Sequence, residues 1–138
     1  MHPKQHNKEV KEVFNYFSIV IELPNIQMKS TEKIKVLLVD DHQLIREGVK
    51  SMLETTDDLE VIGSVASGED SINEVRENRP DVILMDIMMG GMTGIEATRW
   101  IKDFDSTIKV VLLTMEISKE YVSAGIKSGV DGYLPKDV

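Results

Sequence analysis

Three short runs of uninterrupted apolar residues, Val36–Val39, Val82–Met85 and Val110–Leu113, constrain this chain more than any other feature. A strand with one wet face alternates apolar and polar residues. A run without alternation reads as a strand that is dry on both faces. Such strands belong in a parallel sheet covered by helices on both sides, and the intervening segments supply the helices. Gln43 to Glu54 puts Leu44, Ile45, Val49, Met52 and Leu53 on one helical face. Glu60 to Ala66 reads as a further strand. Ser67-Gly68-Glu69-Asp70 opens a second helix, capped by Ser67 with acids in its first turn, which runs to about Asn78 ahead of Pro80. A strand from Asp81 to Asp86 precedes a helix from Gly94 to about Lys102. Lys109 to Thr114 is a strand, and Ser118 or Lys119 to Ser128 is a helix weakened by Gly125 in its interior. Val130 to Leu134 closes the series as a short strand. Alternating strands and helices at this spacing mean βαβ units, and hence an α/β fold with a parallel sheet.

The polar residues that end these strands are of definite kinds. The first strand delivers Asp40 and Asp41, the third Asp86, the fourth Thr114, and Lys136 follows the fifth. In a parallel sheet all of them lie along one edge, the edge at which open α/β sheets bind ligands. Singly, each has an ordinary reading. Asp40 or Asp41 fits a helix cap, Thr114 a β-branched strand residue, Lys136 a solvated lysine, and His42 a solvated residue at a helix start. Together the ordinary readings lose, because three carboxylates crowded at one edge repel each other unless a cation holds them. A hard divalent ion suits oxygen ligands, and Mg²⁺ suits a few carboxylates, waters and a phosphate. One carboxylate can then act as nucleophile toward a phosphoryl group, with a lysine and a hydroxyl stabilising its oxygens.

Charge points the same way. The chain of 138 residues carries a formal net charge of −8. Residues 1–33 hold five lysines and four acids, whereas the remainder holds 11 Lys/Arg and 20 acids. An acidic domain of this kind repels nucleic acid through its own surface and suits a cation or a basic partner. No apolar run approaches the roughly 20 residues that span a bilayer, and the N-terminus lacks a signal-peptide pattern. With no cysteine, disulfides and thiolate metal sites are excluded, which fits a cytoplasmic location.

The segments LLVDDHQLIREGV (37–49), LMDIMMGGMTGIEATR (84–99), VVLLT (110–114) and GVDGYLPKD (129–137) resemble the receiver domain of two-component response regulators. They resemble most the subgroup with a C-terminal helix-turn-helix DNA-binding domain. The resemblance covers residues 34–138 and implies a doubly wound, flavodoxin-like five-stranded sheet of order 2-1-3-4-5. It implies a regulatory domain, not an enzyme, that takes a phosphoryl group from a histidine kinase and switches conformation to control an output such as transcription. Asp86 matches the phosphoacceptor. Asp40 and Asp41 match the acidic pair that binds Mg²⁺ together with Asp86, and the backbone carbonyl of Met88 matches the remaining protein ligand. Thr114 and Lys136 match the hydroxyl and ammonium that contact the phosphoryl group. Tyr133 matches an aromatic switch that turns inward when the threonine moves. The alternative from another class is a metal-dependent phosphohydrolase with Asp86 as covalent nucleophile. It would need a second acid to activate water and a substrate pocket, and neither is visible in the sequence.

Three departures from the family pattern stand out. Gly90 replaces a proline common four residues after the acceptor, which predicts a more flexible loop. Met115 stands where a small residue usually follows the threonine. Pro135 precedes Lys136, reversing the usual order. Residues 1–33 read as an extension and linker, with an amphipathic helix at 10–21 built on Val10, Val13, Phe14, Phe17, Val20 and Ile21. The receiver's fifth helix, which follows the lysine, is expected to be missing from this chain. The 10–21 segment docking in its place, or a homodimer formed through the open face, are the two arrangements expected to compensate.

Overall fold

A computed structural model describes residues 32–114 and 119–135. Five strands and four helices alternate among them: β1 (Ile34–Val39), α1 (Gln43–Leu53), β2 (Leu59–Val65), α2 (Gly68–Asn78), β3 (Val82–Asp86), α3 (Gly94–Phe104), β4 (Lys109–Thr114), α4 (Lys119–Ser128) and β5 (Gly132–Pro135). The strands form one parallel sheet in the order β2-β1-β3-β4-β5, as the resemblance implies. The 10–21 segment, Met115 and Lys136 lie outside the described residues. No described helix is long and apolar enough to cross a membrane.

The uninterrupted apolar runs are dry for the expected reason. Every residue of β3 and β4 is buried, and in β1 only Lys35 is exposed. Alternate side chains of these strands feed two cores. Ile34, Val36, Leu38, Val82, Leu84, Val111, Leu113 and Leu134 pack with Leu53, Val49 and Met52 of α1. Leu37, Val39, Ile83, Met85, Val110 and Leu112 pack on the other face with Val75 of α2 and with Ala97 and Ile101 of α3. Each such aliphatic side chain contributes about 1.5–3 kcal/mol by leaving water, so the three central strands anchor the fold. Leu44 departs from the expected stripe and is 84% exposed. It lies in the first turn of α1, beyond the carboxyl edge of β1.

Helix ends follow local chemistry. Ser67 Oγ accepts from the Asp70 N–H at 3.1 Å. Thr93 and Glu96 form a reciprocal capping box, in which Thr93 Oγ1 accepts from the Glu96 N–H at 3.1 Å. α3 runs two residues past its expected end because Phe104 stacks on Trp100, one turn earlier, with centroids 5.2 Å apart. From α2 and its end, the Arg76 guanidinium lies 4.8 Å from the Trp100 ring centroid and that of Arg79 lies 5.0 Å from Phe104.

Candidate functional site

β1 and β3 are neighbours with Val39 opposite Met85. The residues that come next, Asp40 and Asp86, therefore reach the same edge side by side. Both are buried, 2% and 3% exposed. Across the β3–β4 pair Asp86 faces Leu113, so Thr114 stands one step further on and is 3% exposed. Asp41 lies outside the sheet and is exposed. Oxygen atoms of Asp40, Asp41 and Asp86 and a ring nitrogen of His42 all lie within 4.8 Å of one another. This is an acidic pocket of the kind that binds Mg²⁺. The donor set fits a hard cation, because three carboxylate groups offer anionic oxygen and no soft ligand is among them.

His42 is the residue that sequence reasoning set aside. Its Nδ1 lies 2.9 Å from Asp40 Oδ1 and 3.1 Å from Asp41 Oδ1. Its backbone N–H donates to the same Asp40 oxygen at 2.9 Å, which orients the buried carboxylate. His42 is also the N-cap residue of α1, so neither aspartate takes the capping role either could have had. The signal was hidden because the ring turns back over the aspartates only once the chain takes an extended step at His42 (φ −95°, ψ 105°). Arg46, one turn into α1, donates to the Asp40 carbonyl.

The loop after β3 folds tightly against its own strand. The Ile87 N–H donates to the Leu113 carbonyl at 3.1 Å, and the Gly94 N–H to the Ile87 carbonyl at 3.0 Å. A Cβ on Gly94 would stand 2.1 Å from the Asp86 carbonyl oxygen, so only glycine lets α3 begin there. Gly91 takes φ +77°. Glu69, in the first turn of α2, accepts from the Met92 N–H at 2.9 Å. That bond is the main cause holding the Glu69 carboxyl below its ordinary pKa. The loop thus has an anchor from a different helix, 23 residues away in sequence, which no local pattern could announce. Met88 lies in this loop with its side chain 59% exposed.

At the far side of the site, Tyr133 on β5 turns its hydroxyl into α4 and donates to the Val122 carbonyl at 2.9 Å. The room comes from Gly125, where a Cβ would stand 1.7 Å from the Tyr133 hydroxyl oxygen. A glycine that looked like a weakness in the helix is a notch for this ring. Burial pushes the Tyr133 phenol pKa up. Lys136, next along the chain from Pro135, which pairs with Thr114, lies outside the described residues. Asp40, Asp41, His42 and Asp86 thus converge, Thr114 stands one step beyond the residue that faces Asp86, and Glu69 ties the following loop to α2.

Comparison with known proteins agrees with this geometry. The response regulator receiver domain family matches residues 36–138. Response regulator protein VraR of Staphylococcus epidermidis is 50% identical over 103 residues, which cover 75% of this chain and 49% of that protein. The chain thus spans about half the length of the curated relatives it matches. The receiver domain of the putative response regulator NarL from Mycobacterium tuberculosis superposes with a TM-score of 0.74 at 30% identity, covering 78% of this chain and 86% of that one. A DNA-binding response regulator of the LuxR family from Staphylococcus aureus superposes with a TM-score of 0.70 at 26% identity, covering 75% and 86%.

Proposed function

The chain belongs to the response regulator receiver domains, and from that premise we propose that Asp86 accepts a phosphoryl group from a partner histidine kinase. The observation that carries the reading is the convergence of Asp40, Asp41 and Asp86 within 4.8 Å at the carboxyl edge of the sheet, beside Thr114. An Asp86 carboxylate oxygen attacks phosphorus, the phosphorus–nitrogen bond of the donor imidazole breaks, and an acyl phosphate forms. Asp40, Asp41, Asp86 and the Met88 carbonyl would hold Mg²⁺, which would offset the charge of the carboxylates and of the incoming phosphoryl oxygens. His42 keeps the Asp40 carboxylate oriented, and Arg46 ties the Asp40 carbonyl to α1. Thr114 donates its hydroxyl to a phosphoryl oxygen, and Lys136 pairs with another. Tyr133, seated against α4, couples that event to the surface formed by α4 and β5, shifting an equilibrium between two states.

Receiver domains of response regulators are regulatory, so the output lies elsewhere. The LuxR-family resemblance supports a transcriptional output through a DNA-binding domain, and a cytoplasmic setting where kinase and DNA are both reached. The acceptor is tested by intact mass after incubation with acetyl phosphate and Mg²⁺. The chain gains one phosphoryl group and the Asp86→Asn variant gains none; equal incorporation in both removes Asp86 from the role.

A further inference from the structure

The loop that carries Met88 contains two consecutive glycines, and it is held on both sides of them. A Cβ on Gly90 would meet nothing within 4 Å, so packing does not fix this residue, and glycine has the widest backbone freedom of any residue. Gly91 takes φ +77°. On the strand side, Met89 is buried in the core that α2 and α3 share with the sheet. On the helix side the tie is polar and comes from α2. Glu69 Oε1 accepts from the Met92 N–H at 2.9 Å, and a Cβ on Gly91 would stand 3.0 Å from the same oxygen. Gly68, the preceding residue of α2, approaches so closely that its Cβ would stand 3.1 Å from Met92 Cβ and 3.2 Å from the Met92 carbonyl oxygen. Two adjacent residues of α2 thus grip the one that follows the glycine pair. Glu69 is set up for this by its own helix. Its backbone N–H and the Ser67 hydroxyl also reach the carboxylate, and the first turn of a helix favours an anion.

We propose that Glu69 is a positioning residue for the metal site. By tethering Met92 it keeps the glycine pair, and with it the Met88 carbonyl, in the arrangement that receives Mg²⁺. The proposal rests on the reading of that carbonyl as a metal ligand. Mg²⁺ demands near-ideal octahedral geometry and tolerates little displacement of a ligand. Apparent affinity falls in proportion to the fraction of molecules whose loop is already in place. With the tether, that fraction is close to one. Without it, Gly90 and Gly91 let the loop sample other arrangements, and the ion has to select among them. An element that offers no ligand of its own, α2, therefore sets how tightly the pocket holds its ion. Because Glu69 is exposed, its side chain can be replaced without opening a cavity in the core.

Calorimetric titration of the full chain with Mg²⁺ tests this, beside amide hydrogen exchange of the metal-free chain. Glu69→Ala raises the Mg²⁺ Kd about three- to tenfold and speeds exchange at the Met92 amide, while the metal-free Tm stays near that of the parent. Glu69→Gln keeps an amide oxygen that accepts from the Met92 N–H, and its Kd stays within about twofold of the parent. A Gln variant as weak as the Ala variant overturns the proposal, because loss of a negative charge, and not of the tether, would then be the cause. A weaker Kd in Glu69→Ala with unchanged exchange at Met92 overturns it as well. Mg²⁺ binding by the parent that Glu69→Ala leaves unaltered removes the proposal alone. Absence of Mg²⁺ binding by the parent removes the metal reading and the proposal with it.

Discussion

Replacing Gly125 with alanine tests whether the seat of Tyr133 is as tight as it looks. By helix propensity alone, alanine inside a helix is worth about 1 kcal/mol over glycine, so the substitution should stabilise α4. The structure opposes this, because the new Cβ would stand 1.7 Å from the Tyr133 hydroxyl oxygen, 2.7 Å from Cζ and 3.2 Å from Val130 Cγ1. The ring has to leave. It gives up the hydrogen bond to the Val122 carbonyl, about 1 kcal/mol, and returns on the order of 60–100 Å² of apolar surface to water, about 1.5–2.5 kcal/mol. The balance is a net loss of roughly 1.5–2.5 kcal/mol. For a domain of about 100 residues that lowers Tm by about 6–15 °C. Thermal and urea unfolding of Gly125→Ala, Tyr133→Ala and the double variant complete a cycle. With Tyr133 already removed, Gly125→Ala should raise stability, which gives a coupling of about 2.5–3.5 kcal/mol. If Gly125→Ala stabilises the chain by the same amount whether or not Tyr133 is present, the notch is not what seats the ring.

Three further outcomes follow from the site. Mg²⁺ at ten times its Kd should stabilise the fold by about 1.4 kcal/mol, and Asp41→Ala should abolish most of that shift in metal-dependent melts; an undiminished shift would take Asp41 out of the metal site. Thr114→Ala should still be phosphorylated, yet show weaker amide chemical-shift changes in β5 and α4 on phosphorylation; an unchanged pattern would route the signal elsewhere. Burial raises the Tyr133 phenol pKa in the fold above its ordinary value of 10.0, so the neutral phenol favours folding. The contribution is complete below that value and is lost as pH rises through the higher folded one, so the urea midpoint should fall less between about pH 9 and 11.5 in Tyr133→Phe than in the parent.

Much of this could be read from the sequence because the strands are dry. A run such as Val110–Leu113 has no polar residue that would let it lie at a surface, so both its type and its central place in the sheet followed at once. The acidic edge was legible for a related reason: parallel strands leave the core on the same side, so Asp40, Asp86 and Thr114 had to meet. Contacts that depend on a second element were less visible. Glu69 looked like a helix-start acid, and its bond to Met92 depends on how α2 packs against the β3–α3 loop. His42 looked solvated until the extended step before α1 folded its ring over two carboxylates. Gly125 counted as a cost to its helix, because helix propensity says nothing about a tyrosine eight residues later. The end of α3 shifted to Phe104 through stacking on Trp100, a side-chain effect that outweighs the propensity of a single turn.

That stacked pair has a consequence for observation. Trp100 is the sole tryptophan of the chain, held between Phe104 and the Arg76 guanidinium. It stands six residues, roughly 9 Å, along α3 from Gly94, where the helix abuts the acceptor strand. The molecule therefore carries a single indole, which can be excited selectively over its three tyrosines, on the seam between α2 and α3. Emission that changes when Asp86 is modified would mean that α3 itself has shifted on its neighbour. Constant emission, alongside altered signals from β5, would localise the response to the α4 side of the sheet, so the chain offers a label-free way to tell which half of the molecule responds.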